Sequence, residues 1–246
     1  MISMLRRDLH LEGQALFDGE GYTCFAVIAA AVVCGVLAFR HFHPGGSENT
    51  ESKPEYEIAE TETPPNDLLD TLRKLDVGDT FTAGAYEQDN DPSNGTEPIE
   101  WQVLAIENGR MLVISKYGLD AQPYNTEFVD VTWETCTLRS WLNGTFYNSA
   151  FSSQEQAMIP TVTIRNDDSA YFGFPGGNDT TDQIFLLSHG EAEEYFADVE
   201  ARICHATEYA FERGVMTYAD PEDMPDYPDT EYNSSASCSW WLRFGP

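Results

Sequence analysis

The run Asp89-Asn90-Asp91-Pro92-Ser93-Asn94-Gly95-Thr96-Glu97 carries the densest set of chemical groups in the chain. Asp89, Asp91 and Ser93 alternate as hard oxygen donors, and Glu97 and Glu100 follow, which is the donor type that Ca²⁺ takes. Two features depart from a helix-flanked calcium loop. The flanks read as strands, and Asn94 stands where that loop needs glycine. Asp, Asn, Pro, Ser and Gly are also the ordinary residues of a hairpin turn. A plain acidic turn and a calcium loop are therefore both expectations here. A second acidic run, Asp220 to Glu231 (DPEDMPDYPDTE), reads as a solvated surface loop, with an ion site as its alternative.

Cys136, Cys204 and Cys238 are the thiols of the C-terminal part, with Cys24 and Cys34 upstream. No CxxC occurs, so the spacing does not suit zinc. Free thiols are expected for all three. If a disulfide forms, Cys204 with Cys238 is the expected pair, leaving Cys136 buried in a helix. His10, His41 and His43 lie upstream, while His189 and His205 have no nucleophile and acid at a recognisable spacing. Cys204 and His205 are sequence neighbours and do not form a catalytic unit. No catalytic or cofactor-binding residue is assigned, and the metal position stays open. Trp101 and Trp141 read as core, and the adjacent Trp240-Trp241 places one ring on each side of a strand. Asn94, Asn143, Asn178 and Asn233 begin Asn-X-Ser/Thr sequons, to which no role is assigned.

These residues need elements to hold them. Thr80 to Tyr86, Ile99 to Ile106 and Arg110 to Ser115 read as strands, and Asn108-Gly109 between the last two is a hairpin signal. Trp133 to Phe151 reads as helical. Ser152 with Glu155, and Ser188 with Glu191, are capping boxes that open two short helices. Ile184 to Leu187 (IFLL) reads as a buried strand. Strands and helices mix without βαβ regularity, so the expected class is α+β.

Upstream, Gly21 to Phe39 (GYTCFAVIAAAVVCGVLAF) carries no charge between Glu20 and Arg40. As a helix it reaches roughly 28 Å, close to the ~30 Å hydrocarbon core of a bilayer. A single-pass transmembrane helix over 21–39 is the expectation. A buried core helix and a cleaved signal peptide are the alternatives, and Asp8, Glu12, Asp18 and Glu20 argue against the latter. Arg6 and Arg7 on one side balance Arg40 and Lys53 on the other. The expected orientation puts residues 1–20 in the cytoplasm and the C-terminal domain outside. Residues 40–66 form an acidic tether, with Pro44 to Asn66 holding six Glu and four Pro. Leu68, Leu69, Leu72 and Leu75 fall on one face of a short amphipathic helix over 67–75, with Asn66 or Asp67 as its cap. The domain occupies 76–246.

The chain has 246 residues and a formal charge of −29. That balance opposes phosphate contacts, so nucleic acid is excluded as a partner. The expected partners are a lipid bilayer through 21–39 and an extracellular glycan or protein ligand.

The stretches GDTFTAGAYEQDNDPSNGTEPIEWQVL, SKYGLDAQPYN, VTWETCTLRSWLNGTFYNSAFSSQEQAMI, TTDQIFLLS and CSWWLR together resemble the bacterial domain-of-unknown-function 6273 family, from about Val77 to Arg243. The resemblance implies a C-type-lectin-like scaffold, shared with formylglycine-generating enzymes, and carries no activity with it. In the family the Trp-Trp-Leu-Arg run continues into further strands, whereas here Phe244-Gly245-Pro246 follow, so a C-terminally incomplete domain is expected. Three readings result. The first is a membrane-anchored, surface-displayed binding module without catalysis. The second is an extracytoplasmic oxidase of the formylglycine-generating type using Cys204 and Cys238. The third is a truncated remnant with no independent function.

Overall fold

A computed structural model describes residues 25–26, 30–34, 66–169, 173–219, 229 and 231–243. The expected cytoplasmic segment 1–20 lies outside the described residues. So do the tether up to Pro65 and all of the acidic run 220–231 except Asp229 and Glu231.

The first described strands fall inside the apolar segment. They are β1 (Phe25–Ala26) and β2 (Ala30–Cys34). Helix α1 (Asn66–Leu72) ends three residues before the expected boundary. Strands β3 (Thr80–Tyr86), β4 (Glu97–Glu107) and β5 (Arg110–Ser115) contain the three expected strands, with β4 longer at its start. Short strands β6 (Tyr117–Gly118) and β7 (Ala121–Gln122) follow. A helical stretch comprises α2 (Thr137–Trp141), a π-helical turn (Leu142–Phe146) and α3 (Tyr147–Ala150). Next come α4 (Ser153–Gln156), β8 (Val162–Ile164), β9 (Thr180–Asp182), β10 (Ile184–Phe185) and α5 (His189–Tyr195). The described chain closes with β11 (Cys204–Ala206), α6 (Glu208–Glu212), β12 (Thr217–Tyr218) and β13 (Ser237–Cys238).

The largest sheet is antiparallel in the order β10-β2-β5-β4-β3. The β4–β5 hairpin has the expected turn: Asn108 and Gly109 both take positive φ, as a two-residue turn of the primed type requires. Along β4, Ile99, Trp101 and Val103 point inward and are buried. Each such side chain contributes about 1.5–3 kcal/mol on leaving water. A second sheet, β12-β13-β11-β6, is antiparallel except for the β11–β6 pair. The pairs β8–β9 and β1–β7 complete the strand pairings.

The transmembrane helix expected over 21–39 differs from what the described part of that segment does. Ala30–Cys34 pairs with β5 on one side and β10 on the other. Among the described residues, no helix is long and apolar enough to cross a membrane. The physical reason for the difference is that hydrophobicity does not discriminate here. A short uncharged run containing paired valines suits a two-sided strand as well as a helix.

The helix expected to begin at Trp133 begins four residues later. Cys136 caps it, its sulfur accepting the Arg139 N–H at 3.4 Å, and Trp133 is instead a buried anchor ahead of the helix. Both capping boxes form as expected, at Ser152–Glu155 and Ser188–Glu191. In the IFLL run only Ile184 and Phe185 are strand, though all four residues are buried.

Candidate functional site

Gly84 lies where the β3–β4 register shifts, between Thr82 and Ala85. It takes φ +67, and a Cβ there would stand 2.7 Å from the Ala150 carbonyl oxygen, so only glycine fits. Its N–H donates to Glu155 Oε1 at 2.6 Å, while Glu155 Oε2 accepts the Ser152 N–H at 2.9 Å. One carboxylate thus closes the α4 capping box and fixes the irregular end of β3. That end delivers Tyr86.

The Tyr86 hydroxyl donates to Asp120 Oδ2 at 2.6 Å. Arg213 Nε donates to Asp120 Oδ1 at 2.6 Å, and the Ala121 N–H reaches the same oxygen at 2.7 Å. Asp120 is only 1% exposed, whereas 43% of the Arg213 side chain faces solvent. The guanidinium carbon sits 5.3 Å from the centre of the Tyr209 ring, and Tyr86 meets Tyr209 edge to face at 5.9 Å. Tyr209 and Arg213 share a face because they are four residues apart along α6 and its C-cap. Burial, then the Asp120 charge and hydrogen bond, raise the Tyr86 hydroxyl above the ordinary tyrosine range. It stays protonated at neutral pH and acts as a donor. The product is a fixed, half-exposed cation laid over the Tyr209 ring, with Tyr86 edge to face against that ring. It is suited to polar, planar or anionic ligand groups and has no nucleophile of its own.

The acidic loop adjoins this cluster: Gln88 O accepts the Tyr209 N–H at 3.1 Å. The donors that converge are Glu87, Asp89 and Glu97, whose oxygens lie within 4.8 Å of one another. This differs from the expected set of Asp89, Asp91, Ser93, Glu97 and Glu100. Asp91 is turned toward Ser93, accepting its N–H at 3.0 Å and its hydroxyl at 2.6 Å. Glu100 pairs with Lys116 at 2.8 Å. The converging carboxylates also have internal donors. Asn94 Nδ2 reaches Asp89 at 2.7 Å, the Gln88 N–H reaches Glu97 at 2.7 Å, and the Asp91 N–H reaches Glu87 at 3.0 Å. Desolvation and then the Glu97 charge raise the Glu87 carboxyl, while the Asn94 amide, followed by the Asp91 N–H, lowers Asp89. These bonds gather the three carboxylates into one acidic turn.

Cys136, Cys204 and Cys238 are buried and free. Burial pushes the Cys136 thiol up to about 11. Cys204 and Cys238 are direct partners across β11 and β13. The hydrogen bond with Cys204, then burial, raises the Cys238 thiol well above its usual range, which opposes activation as a nucleophile. His205 Nδ1 lies 2.9 Å from Ala236 O, and His189 sits 3.6 Å from Glu193. Of the two adjacent tryptophans, Trp241 is buried with its Nε1 on Gln122 O at 2.8 Å. Trp240 is the half-buried one, lying on Phe196 with its Nε1 on Arg202 O at 3.2 Å. Arg243 is buried, donating to Leu186 O at 2.5 Å and to Glu191 at 2.9 Å. Trp241 and Arg243 of the C-terminal run thus hold the fold together. The cavity beneath α1, lined by Leu72, Phe81, Trp101 and Phe151, measures about 20 Å³, room for one water rather than a ligand.

Sequence reasoning missed Tyr86, Asp120, Tyr209 and Arg213. One signal was available: Asp120 is an acid between the apolar Leu119 and Ala121, and a buried acid needs partners.

The domain-of-unknown-function family DUF6273 matches residues 108–244. The chain belongs to that family. The matched region starts at the β4–β5 turn, so β3 and β4 precede it, whereas the resemblance was expected from about Val77. No curated protein and no solved structure matches the chain. Of the DUF6273 region, Asp120, Tyr209 and Arg213 contribute to the cluster, and Tyr86 joins them from outside it.

Proposed function

We propose that the protein is a membrane-anchored, non-catalytic binding module, displayed outside the cytoplasm on the lectin-like scaffold that its sequence resembles. Its binding surface is the patch around Tyr86, Tyr209 and Arg213. The observation that carries this reading is the Arg213 guanidinium, oriented by buried Asp120 and laid over a tyrosine ring while still facing solvent. Aromatic faces beside a fixed, planar donor suit hydroxylated or carboxylated ligands such as glycans.

The anchor in this reading is residues 21–39, which are uncharged and of bilayer length. Residues 30–34 cannot be a helix in lipid and β2 in the sheet at once. The anchored form therefore leaves β5 and β10 without the strand between them. A glycan and peptidoglycan-fragment array probed with the full chain in detergent tests the binding reading. Binding should fall at least tenfold in Arg213→Ala and in Tyr209→Ala. An array on which the wild-type chain binds nothing contradicts it.

A further inference from the structure

We infer that Cys204 and Cys238 form a redox-responsive cross-strand pair, convertible to a disulfide that staples β13 onto β11. Their positions carry this. The two residues are Cα partners in an antiparallel ladder, where partner Cα atoms stand about 4.5–5.5 Å apart. That spacing lies inside the Cα range a disulfide spans. Both residues are buried, and the Cys204 thiol donates to His205 O at 3.5 Å. Cys136 caps α2 on a different element, with its sulfur bonded to the Arg139 N–H, and has no part in the pair.

The chemistry is thiol–disulfide exchange with a small external disulfide. One protein thiolate attacks a sulfur of that disulfide, forming a mixed disulfide and expelling one thiolate. The second protein thiolate then attacks the mixed disulfide, closing the Cys204–Cys238 bond and expelling the other. Two S–H bonds are lost and one S–S bond is made. The two electrons and two protons end on the external disulfide as two thiols. Burial of both sulfurs and the raised Cys238 thiol make exchange slow at neutral pH and faster as pH rises.

The consequence reaches past the bond itself. β13 leads into Trp240, Trp241 and Arg243, which hydrogen-bond Arg202, Gln122 and Leu186. Closing the loop between Cys204 and Cys238 ties that segment covalently to the second sheet. The inference depends only on the register of β11 and β13 and stands whether or not the chain is anchored in lipid.

The test uses the full chain in detergent, equilibrated in glutathione buffers of graded ratio, quenched in acid, alkylated, digested and read by mass spectrometry. The expected result is a Cys204–Cys238 linked peptide, lighter by two hydrogens. Cys136 should be alkylated only after unfolding. Oxidation should raise the melting temperature by ~10 °C, a shift lost in Cys238→Ala. The inference is overturned if Cys204 and Cys238 come back as separately alkylated or separately glutathionylated residues across the whole range.

Discussion

β5 acquires its two neighbours in opposite ways. On one side β4 is delivered by a two-residue turn, and the register runs from Glu107↔Arg110 to Ala105↔Leu112, shifts, and resumes at Val103↔Val113. On the other side β2 arrives from far upstream and β10 from far downstream, pairing Ala30 with both Ile114 and Phe185. The first flank is held by chain connectivity. The second depends on side chains that place β10: Asn143 Oδ1 accepts the N–H groups of Gln183 and Ile184, and its Nδ2 donates to Ile184 O. Next to them, buried Asp182 accepts from Trp133 Nε1 at 3.0 Å, Arg139 Nε at 2.7 Å and the Thr180 hydroxyl at 2.7 Å. A sheet can thus be local on one face of a strand and network-built on the other. The two flanks should fail differently.

The largest effect is expected from the network flank. Asp182→Ala leaves the Trp133 N–H and the Arg139 guanidinium without their acceptor, and it should cost about 3–5 kcal/mol. In thermal melts that is a fall of roughly 10 °C. Asn143→Ala removes three hydrogen bonds to the backbone around β10 and should cost about 2–3 kcal/mol, with hydrogen exchange at Ile184 and Phe185 rising before exchange in β4. On the hairpin flank, Gly109→Ala forces a side chain into positive φ and should cost about 1–2 kcal/mol, read from the chemical-denaturation midpoint. A Gly109→Ala loss larger than that of Asp182→Ala would mean that connectivity, not the network, limits the sheet.

The smallest effect is on pH dependence. Burial holds His189 below the ordinary histidine range, with Glu193 opposing and Arg202 adding to the shift. A lowered folded pKa means the unfolded chain takes up the proton first. Stability is therefore complete above about pH 6.5 and declines as pH falls through that value toward the folded pKa. Melting temperature should drop between about pH 7.5 and about pH 5.5, and the drop should be shallower in His189→Gln. An identical slope in the variant would remove His189 as the cause.

The same contrast explains what could be read from the letters. The β4–β5 hairpin, both capping boxes and the core role of Trp101 follow from local rules, because Asn-Gly turns and Ser-x-x-Glu boxes act within four residues, whereas Trp141 is only half-buried against the core. The start of α2 was misplaced because a cysteine cap leaves no ordinary signature, and Trp133 fits an apolar helical pattern equally well. The Asp120–Arg213–Tyr86 cluster was not legible. Its members lie as much as 127 positions apart, counting from Tyr86 to Arg213, and local spacing does not encode that juxtaposition. Segment 21–39 was legible as apolar but not as strand or span, since the same residues satisfy either environment.

The anchor proposed over residues 21–39 excludes the Ala30–Cys34 pairing with β5, so that register offers the sharpest test of the proposal. Cys34 is the partner of Arg110. The full chain carrying Arg110→Cys should be produced in cells, the membranes washed with alkaline carbonate, and the linked peptides identified after mild oxidation. If the proposed anchor forms, the chain stays in the washed membrane pellet and Cys34 and the introduced thiol remain unlinked. Release of the chain into the detergent-free wash, with a Cys34-to-110 disulfide formed within one molecule, would contradict it.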